Sequence, residues 1–99
     1  MNSLRIYVPG DAAAVAVGAD EVTAAIEVAA EHGRMPVTIV RNGSRGLHWL
    51  EPMVEVETAK GRIAYGPVDV ADAKSVLKAA ADNGGRHPLR LGRPEEIPF

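Results

Sequence analysis

The spacing of apolar residues along the chain predicts four short β-strands. In each one, apolar side chains alternate with polar ones or form a short uninterrupted run, as expected for strands with one or both faces buried. The predicted strands cover residues 4–8, 37–40, 53–58 and 62–65. A tight turn that ends at Gly61 joins the last two strands as a β-hairpin.

Two other segments show the period of an amphipathic helix. The first follows Asp20, a candidate N-cap, and stops at Gly33; the second follows Asp69 and stops at Gly84. Apolar residues recur at i, i+3, i+4 and i+7 in both, which predicts one buried face for each helix. The inward positions are Val22, Ala25, Ile26, Ala29 and Ala30 in the first helix, and Val70, Ala73, Val76, Leu77 and Ala80 in the second.

The resulting order, β-α-β-β-β-α, predicts an α/β domain of the thioredoxin-like plan over residues 1–85. Its β-α-β unit implies two parallel strands and its hairpin adds two antiparallel ones, giving a four-stranded mixed sheet with two helices. Residues 86–99 hold three prolines and no period, which predicts an extended tail or linker. A ferredoxin-like βαββαβ order is the alternative, and it needs a further strand that only residues 88–91 could supply.

Composition excludes several kinds of chemistry. The chain has 99 residues, a net charge of −2 and no cysteine. Disulfides, thiolate zinc sites, a nucleophilic thiol and ordinary iron–sulfur ligation are therefore ruled out. The near-neutral charge gives no sign of a nucleic-acid partner, and no apolar run approaches a membrane span. The lack of cysteine fits a reducing compartment, so we expect a cytoplasmic protein.

One loop is the best candidate site in the sequence. Its glycines permit positive φ angles and expose backbone N–H groups, and two arginines flank them, so the loop could bind an anion or a nucleotide. The alternative is a basic turn that packs against a partner subunit or against the chain's own sheet. A tryptophan near its end is either an interface anchor or a plug in the core. The candidate residues are Arg41, Asn42, Gly43, Ser44, Arg45, Gly46, His48 and Trp49.

Two carboxylates on the third strand form a second candidate. Glu55 and Glu57 lie two residues apart, so their side chains share one face of the strand. Paired carboxylates can perform acid–base chemistry. The simpler interpretation is a solvated face that protects a sheet edge from pairing with other chains.

The candidate loop also carries a resemblance to a known family. Residues 41–56 run from the loop into a valine-rich strand, and residues 18–22 start the first helix. Both segments resemble the thioredoxin-like [2Fe–2S] ferredoxins of NADH dehydrogenase assemblies, which have a C-x₄-C and a C-x₃-C pair. The resemblance places the four cysteine positions at Pro9, Ala14, Ser44 and His48. Proline and alanine cannot bind iron, and two ligands on one loop would not hold a binuclear cluster, so the resemblance implies a ferredoxin fold that has lost its cluster.

Nearly the whole chain takes part in a second resemblance. The segments that carry it are residues 4–9, 18–22, 41–46, 49–58, 65–68 and 87–92. They resemble the N-terminal domain of the beta subunit of NAD-dependent, molybdenum-containing formate dehydrogenases. Residues 95–99 resemble the passage from that domain into a flavin domain.

This second resemblance implies a role in an oxidoreductase complex. In that family the beta subunit passes electrons from formate through a [4Fe–4S] cluster to FMN, which reduces NAD⁺, and these sites lie in later domains. The resemblance therefore implies a docking domain with no catalytic, cofactor-binding or metal-binding residues of its own. Its expected partners are the gamma-type [2Fe–2S] subunit, the alpha-type subunit and a following flavin domain. Related NAD-reducing hydrogenases and NADH:quinone reductases remain alternatives.

Overall fold

The fold starts with a β-α-β unit and continues through a hairpin into a second helix. The computed structural model describes residues 4–10, 18–42, 52–59 and 61–93. The elements are β1 (Leu4–Pro9), α1 (Ala19–His32), β2 (Val37–Asn42), β3 (Val54–Thr58), β4 (Gly61–Tyr65), a 3₁₀ turn (Val70–Asp72), α2 (Ala73–Ala81) and β5 (Arg90–Gly92). No helix among these residues is long and apolar enough to cross a membrane.

The strands form one mixed sheet in the order β2-β1-β3-β4-β5. β1 and β2 are parallel, and the other neighbouring pairs are antiparallel. The predicted thioredoxin-like arrangement, with two helices and a mixed sheet, is confirmed. The predicted strand count was wrong, because the sheet has five strands instead of four.

The fifth strand lies inside the segment predicted as a tail. β5 pairs with β4 through a bulge, and Leu91 packs on Met53 and Ala64. The N–H of Gly66 donates to the carbonyl of Leu89 at 3.0 Å. Residues 86–92 therefore belong to the folded unit. A three-residue strand has too few positions to show a period, which explains the error.

Both helices cover the same face of the sheet. Alternate residues of β1, β3 and β4 point toward α1 and α2 and form a single apolar core with them. Its buried members include Ile6, Val8, Val22, Ile26, Val54, Val56, Tyr65 and Val76. Valine, alanine and isoleucine predominate, so close packing of small side chains builds this core.

The helix ends depart from prediction in two details. Asp20 is not the N-cap of α1, because the helix begins at Ala19 after Gly18, and no side chain caps it. Asp69 does form a capping box with Asp72, but the box opens the 3₁₀ turn that leads into α2. That turn leaves Val70 49% exposed, so its predicted burial was wrong.

Candidate functional site

Three of the predicted site residues lie together where β1 and β2 end. Pro9 is the last residue of β1 and is register-paired with Asn42, the last residue of β2, and Arg41 precedes Asn42. The other predicted positions lie outside the described residues. They are Ala14, Gly43, Ser44, Arg45, Gly46, His48 and Trp49.

Arg41 ties the end of β1 to the first turn of α1. Its Nε donates to the carbonyl of Val8 at 3.2 Å, and its Nη2 donates to the carbonyl of Pro9 at 2.9 Å. The same Nη2 lies 2.7 Å from Oδ1 of Asp20. Parallel pairing of β1 and β2 places Arg41 beside these carbonyls, and the start of α1 brings Asp20 to it. The guanidinium therefore acts as a clamp between a strand and a helix.

The ends of β1 and β2 offer little chemistry for a metal. Pro9 has no side-chain ligand atom, and its carbonyl accepts from Arg41. Within the described residues, no group of three or more metal-ligating side chains lies together. The carbonyl of Asn42 accepts from the N–H of Gly10 at 2.8 Å, and its buried Oδ1 has no hydrogen-bond partner. The anion-binding role of the loop stays a prediction, because Arg45 and the glycines lie outside the described residues.

Replacing Arg41 should destabilise the domain moderately. Arg41→Ala removes three hydrogen bonds, and we expect the free energy of unfolding to fall by about 1–2 kcal/mol, since the ion pair with Asp20 is largely exposed and contributes little. Arg41→Lys should recover only part of this, because an ammonium lacks the planar fork that reaches two carbonyls and a carboxylate together. Urea unfolding of both variants checks the expectation, and full stability in Arg41→Lys would contradict it.

The two carboxylates of β3 are in different environments. Glu55 is only 3% exposed, so its predicted solvation was wrong, whereas Glu57 is exposed. The guanidinium of Arg62 lies 3.6 Å from Glu55 and 3.5 Å from Glu57, and it stacks on the ring of Tyr7 at 3.7 Å. This is a structural ion-pair cluster on the sheet face opposite the helices. The cross-strand register of β3 and β4 assembles it.

A serine–histidine contact between α2 and the segment before β5 was not predicted. Oγ of Ser75 lies 2.9 Å from Nε2 of His87, and the N–H of Leu89 donates to Nδ1 of His87 at 3.0 Å. Because Nδ1 accepts, the neutral ring carries its proton on Nε2 and donates it to Ser75. The hydroxyl of Ser75 in turn donates to the carbonyl of Asp72. A general base needs a free lone pair facing the serine, so this pair anchors the segment and does not form a nucleophile.

Tyr65 supports the same segment from inside the core. Its side chain is fully buried, its hydroxyl donates to the carbonyl of Gly85 at 2.9 Å, and the ring of His87 meets it edge-on. Burial raises the pKa of the Tyr65 hydroxyl above its ordinary value, partly offset by the positive charge of Arg90, while Asp82 adds a smaller upward shift. The neutral phenol is therefore the form that the fold stabilises.

This raised pKa gives an expected alkaline dependence of stability. The unfolded chain ionises Tyr65 near pH 10, and the folded chain ionises it only at higher pH. The neutral hydroxyl of Tyr65 therefore contributes fully to the free energy of unfolding below pH 10, and this contribution is lost as the pH rises through the pKa of the folded state. Tyr65→Phe lacks the group, so the stability gap between wild type and Tyr65→Phe should shrink as the pH rises above about 10 in urea titrations. A gap that stays constant up to pH 11.5 would contradict this.

Comparison with known proteins supports the fold. No family model matches the chain, and no curated protein matches it significantly. Among solved structures, a thioredoxin-like [2Fe–2S] ferredoxin from Aquifex aeolicus is similar with a TM-score of 0.74 and 17% identity, covering 100% of this chain and 99% of that one. A 1.5 Å structure of the wild-type ferredoxin gives a TM-score of 0.72 and 18% identity over 94% of this chain and 100% of that one. At such identity the likeness establishes a shared thioredoxin-like fold.

Proposed function

We propose that this chain is a docking domain that has lost the [2Fe–2S] cluster of a thioredoxin-like ferredoxin. In this proposal it holds the beta subunit of an NAD-dependent formate dehydrogenase against the neighbouring electron-carrying subunits. The parent subunit would carry FMN, a [4Fe–4S] cluster and the NAD site, and this domain would carry none of them. The domain would support electron transfer from formate to NAD only by helping the subunits to assemble.

One observation carries the proposal. The fold matches that of [2Fe–2S] ferredoxins over essentially the full length of both chains, yet the sequence contains no cysteine. A binuclear cluster needs thiolates or, in part, histidines as ligands. A fold kept without those ligands is useful for its surfaces. The resemblance of the sequence to the beta subunit supplies the identity of the partners.

The first test measures whether the pure chain binds iron. The chain is purified anaerobically, incubated with iron and sulfide under conditions that load a cysteine-containing thioredoxin-like ferredoxin, and desalted. We expect no visible absorbance and no retained iron or sulfide, because the chain has no thiolate. The ferredoxin treated in parallel is the positive control. A stable brown protein with stoichiometric iron would overturn the proposal.

The second test measures docking directly. The chain is titrated calorimetrically into the purified gamma-type [2Fe–2S] subunit of a formate dehydrogenase, and separately into the alpha-type subunit. We expect saturable binding to at least one of them, with a dissociation constant in the micromolar range that is typical of transient subunit contacts. In the assembled enzyme, removal of residues 1–90 from the beta subunit should release that neighbour. Normal assembly without these residues would contradict the proposal.

A further inference from the structure

An open apolar groove runs between α1 and α2 on the outer side of the helix layer. Its volume is about 1030 Å³. Val28 and Val70 are the exposed large apolar side chains of the described chain, at 56% and 49% exposure, and both line this groove. Ala25, Ala29 and Leu77 also line it, so positions predicted to be core form its walls. Exposed apolar surface concentrated in one concavity is typical of an interaction site.

The lining favours a macromolecular partner over a small molecule. Small-molecule sites combine an apolar cavity with a few convergent polar groups that orient the ligand. In this groove the charged residues are spread along the two helices among the apolar positions. They are Glu21 and His32 on α1 and Lys74 and Lys78 on α2. The alanines that line the groove have short side chains, so the backbone of another helix can approach as closely as it does between packed helices.

Charge on the α2 side indicates what kind of helix would fit. Lys74 and Lys78 are one turn apart on α2, and both are exposed. Among the described residues neither forms an ion pair, while the α1 side offers only Glu21 at its N-terminal end. A bound helix would therefore be stabilised by carboxylates on the flank that faces α2. The α1 side, from Glu21 to His32, is about 17 Å long at 1.5 Å per residue, or about three turns of a helix.

A second copy of this chain is a poor match for the same groove. A two-fold interface brings the same patch of both copies together, so a concave surface would face another concave surface. The space between them would stay unfilled, and Lys74 and Lys78 would gain only one carboxylate, Glu21, from the other copy. A single helix fills a concavity without this mismatch.

We propose that the groove between α1 and α2 binds an amphipathic helix of a partner protein, with a narrow apolar seam and an acidic flank that faces Lys74 and Lys78. This inference rests on the proposed docking function and names its surface. The apolar seam would cover Val28 and Val70, and the carboxylates would pair with the two ammonium groups. The helix would lie along α1 for about three turns.

The test uses two synthetic 18-residue helical peptides with the same leucine and alanine seam. One carries glutamates on one flank and the other carries lysines at the same positions. Binding of each labelled peptide to the full chain is measured by fluorescence anisotropy. We expect saturable binding of the glutamate peptide and at least tenfold weaker binding of the lysine peptide, since two attractive contacts become repulsive.

Variants of the chain locate the site. The double substitution Val28→Asp with Val70→Asp should weaken binding of the glutamate peptide at least tenfold, because the apolar seam of the peptide would then bury unpaired charge. Lys74→Glu with Lys78→Glu should reverse the preference between the two peptides. As a control, Arg5→Glu with Arg86→Glu changes the net charge by the same amount as the lysine pair, but at exposed positions outside the groove. This control variant should bind each peptide with unchanged affinity. Circular dichroism confirms that each variant is folded.

Three outcomes would overturn this assignment. They are equal binding of both peptides, binding that survives the aspartate pair, and a dimer in light scattering that the aspartate pair dissociates, which would make a second copy the occupant. Failure of this inference is separable from failure of the docking function. If the gamma-type or alpha-type subunit binds the chain and the aspartate pair binds it equally well, docking stands and the groove is the wrong surface.

Discussion

Gly84→Ala is expected to lower the free energy of unfolding by about 3 kcal/mol, a large part of the stability of a domain of this size. Gly84 follows α2 with a φ of +74°, and it is buried. A methyl group there would lie 2.7 Å from Cγ1 and 3.1 Å from Cβ of Ile63, and 3.1 Å from Cγ2 of Thr58. The Cβ contact with Ile63 cannot be relieved by a rotamer change, so the backbone of β4 or the α2 end must move.

Gly61→Ala is the matched control for this expectation. Gly61 also has a positive φ, +106°, but a methyl group there would meet nothing within 4 Å. The control therefore carries the conformational cost alone, about 1 kcal/mol. Urea unfolding of both variants separates the steric term from the backbone term. Equal losses in the two variants would show that the contact with Ile63 has no energetic weight.

Tyr65→Ala is expected to cost about 4 kcal/mol, the range found when a buried aromatic side chain is deleted. Tyr65 is the largest fully buried side chain of the described chain, and it belongs to the core that the sheet forms with both helices. Its removal leaves a cavity and also frees the carbonyl of Gly85, which its hydroxyl occupies at 2.9 Å. We expect the variant to be partly unfolded at 37 °C, measured as a lower midpoint in thermal denaturation followed by circular dichroism.

Tyr65→Phe separates the two contributions. It keeps the ring and its edge-on contact with His87 but loses the hydrogen bond to Gly85, so a loss of about 1 kcal/mol is expected at neutral pH. The remaining 3 kcal/mol of the alanine effect would then belong to the cavity. If the phenylalanine variant were as unstable as the alanine variant, the hydroxyl and not the ring would dominate.

Local pattern was sufficient for most of the architecture. The β-hairpin follows from alternating valine and glutamate before Gly61, and the helices follow from apolar residues at helical spacing; the stop at Gly33 is correct, whereas α2 ends at Ala81, three residues before the predicted stop at Gly84. Each of these signals depends on residues a few positions apart, which the sequence places in contact by itself. The lack of cysteine is equally direct, and with it the exclusion of ordinary cluster ligation.

Local sequence patterns predicted the candidate site only in part. Arg41 stood out in the sequence as a loop cation, yet its role depends on Asp20, which lies 21 residues earlier and was interpreted as a helix cap. Glu55 was expected in solvent because glutamate alternates with valine there. Its burial depends on how the opposite face of the sheet is covered, and strand alternation carries no such information.

Sequence alone determined the order of the main elements and the absence of thiolates, because propensity, periodicity and composition are local properties of the chain. Tertiary structure alone decided that β5 joins the sheet, that Ser75 meets His87, and that the inward faces of α1 and α2 leave a groove between them. These features arise where distant segments meet. The free energy that stabilises these features comes from packing and hydrogen bonds across the fold. The residues in contact lie too far apart along the chain for a local sequence pattern to show that they meet.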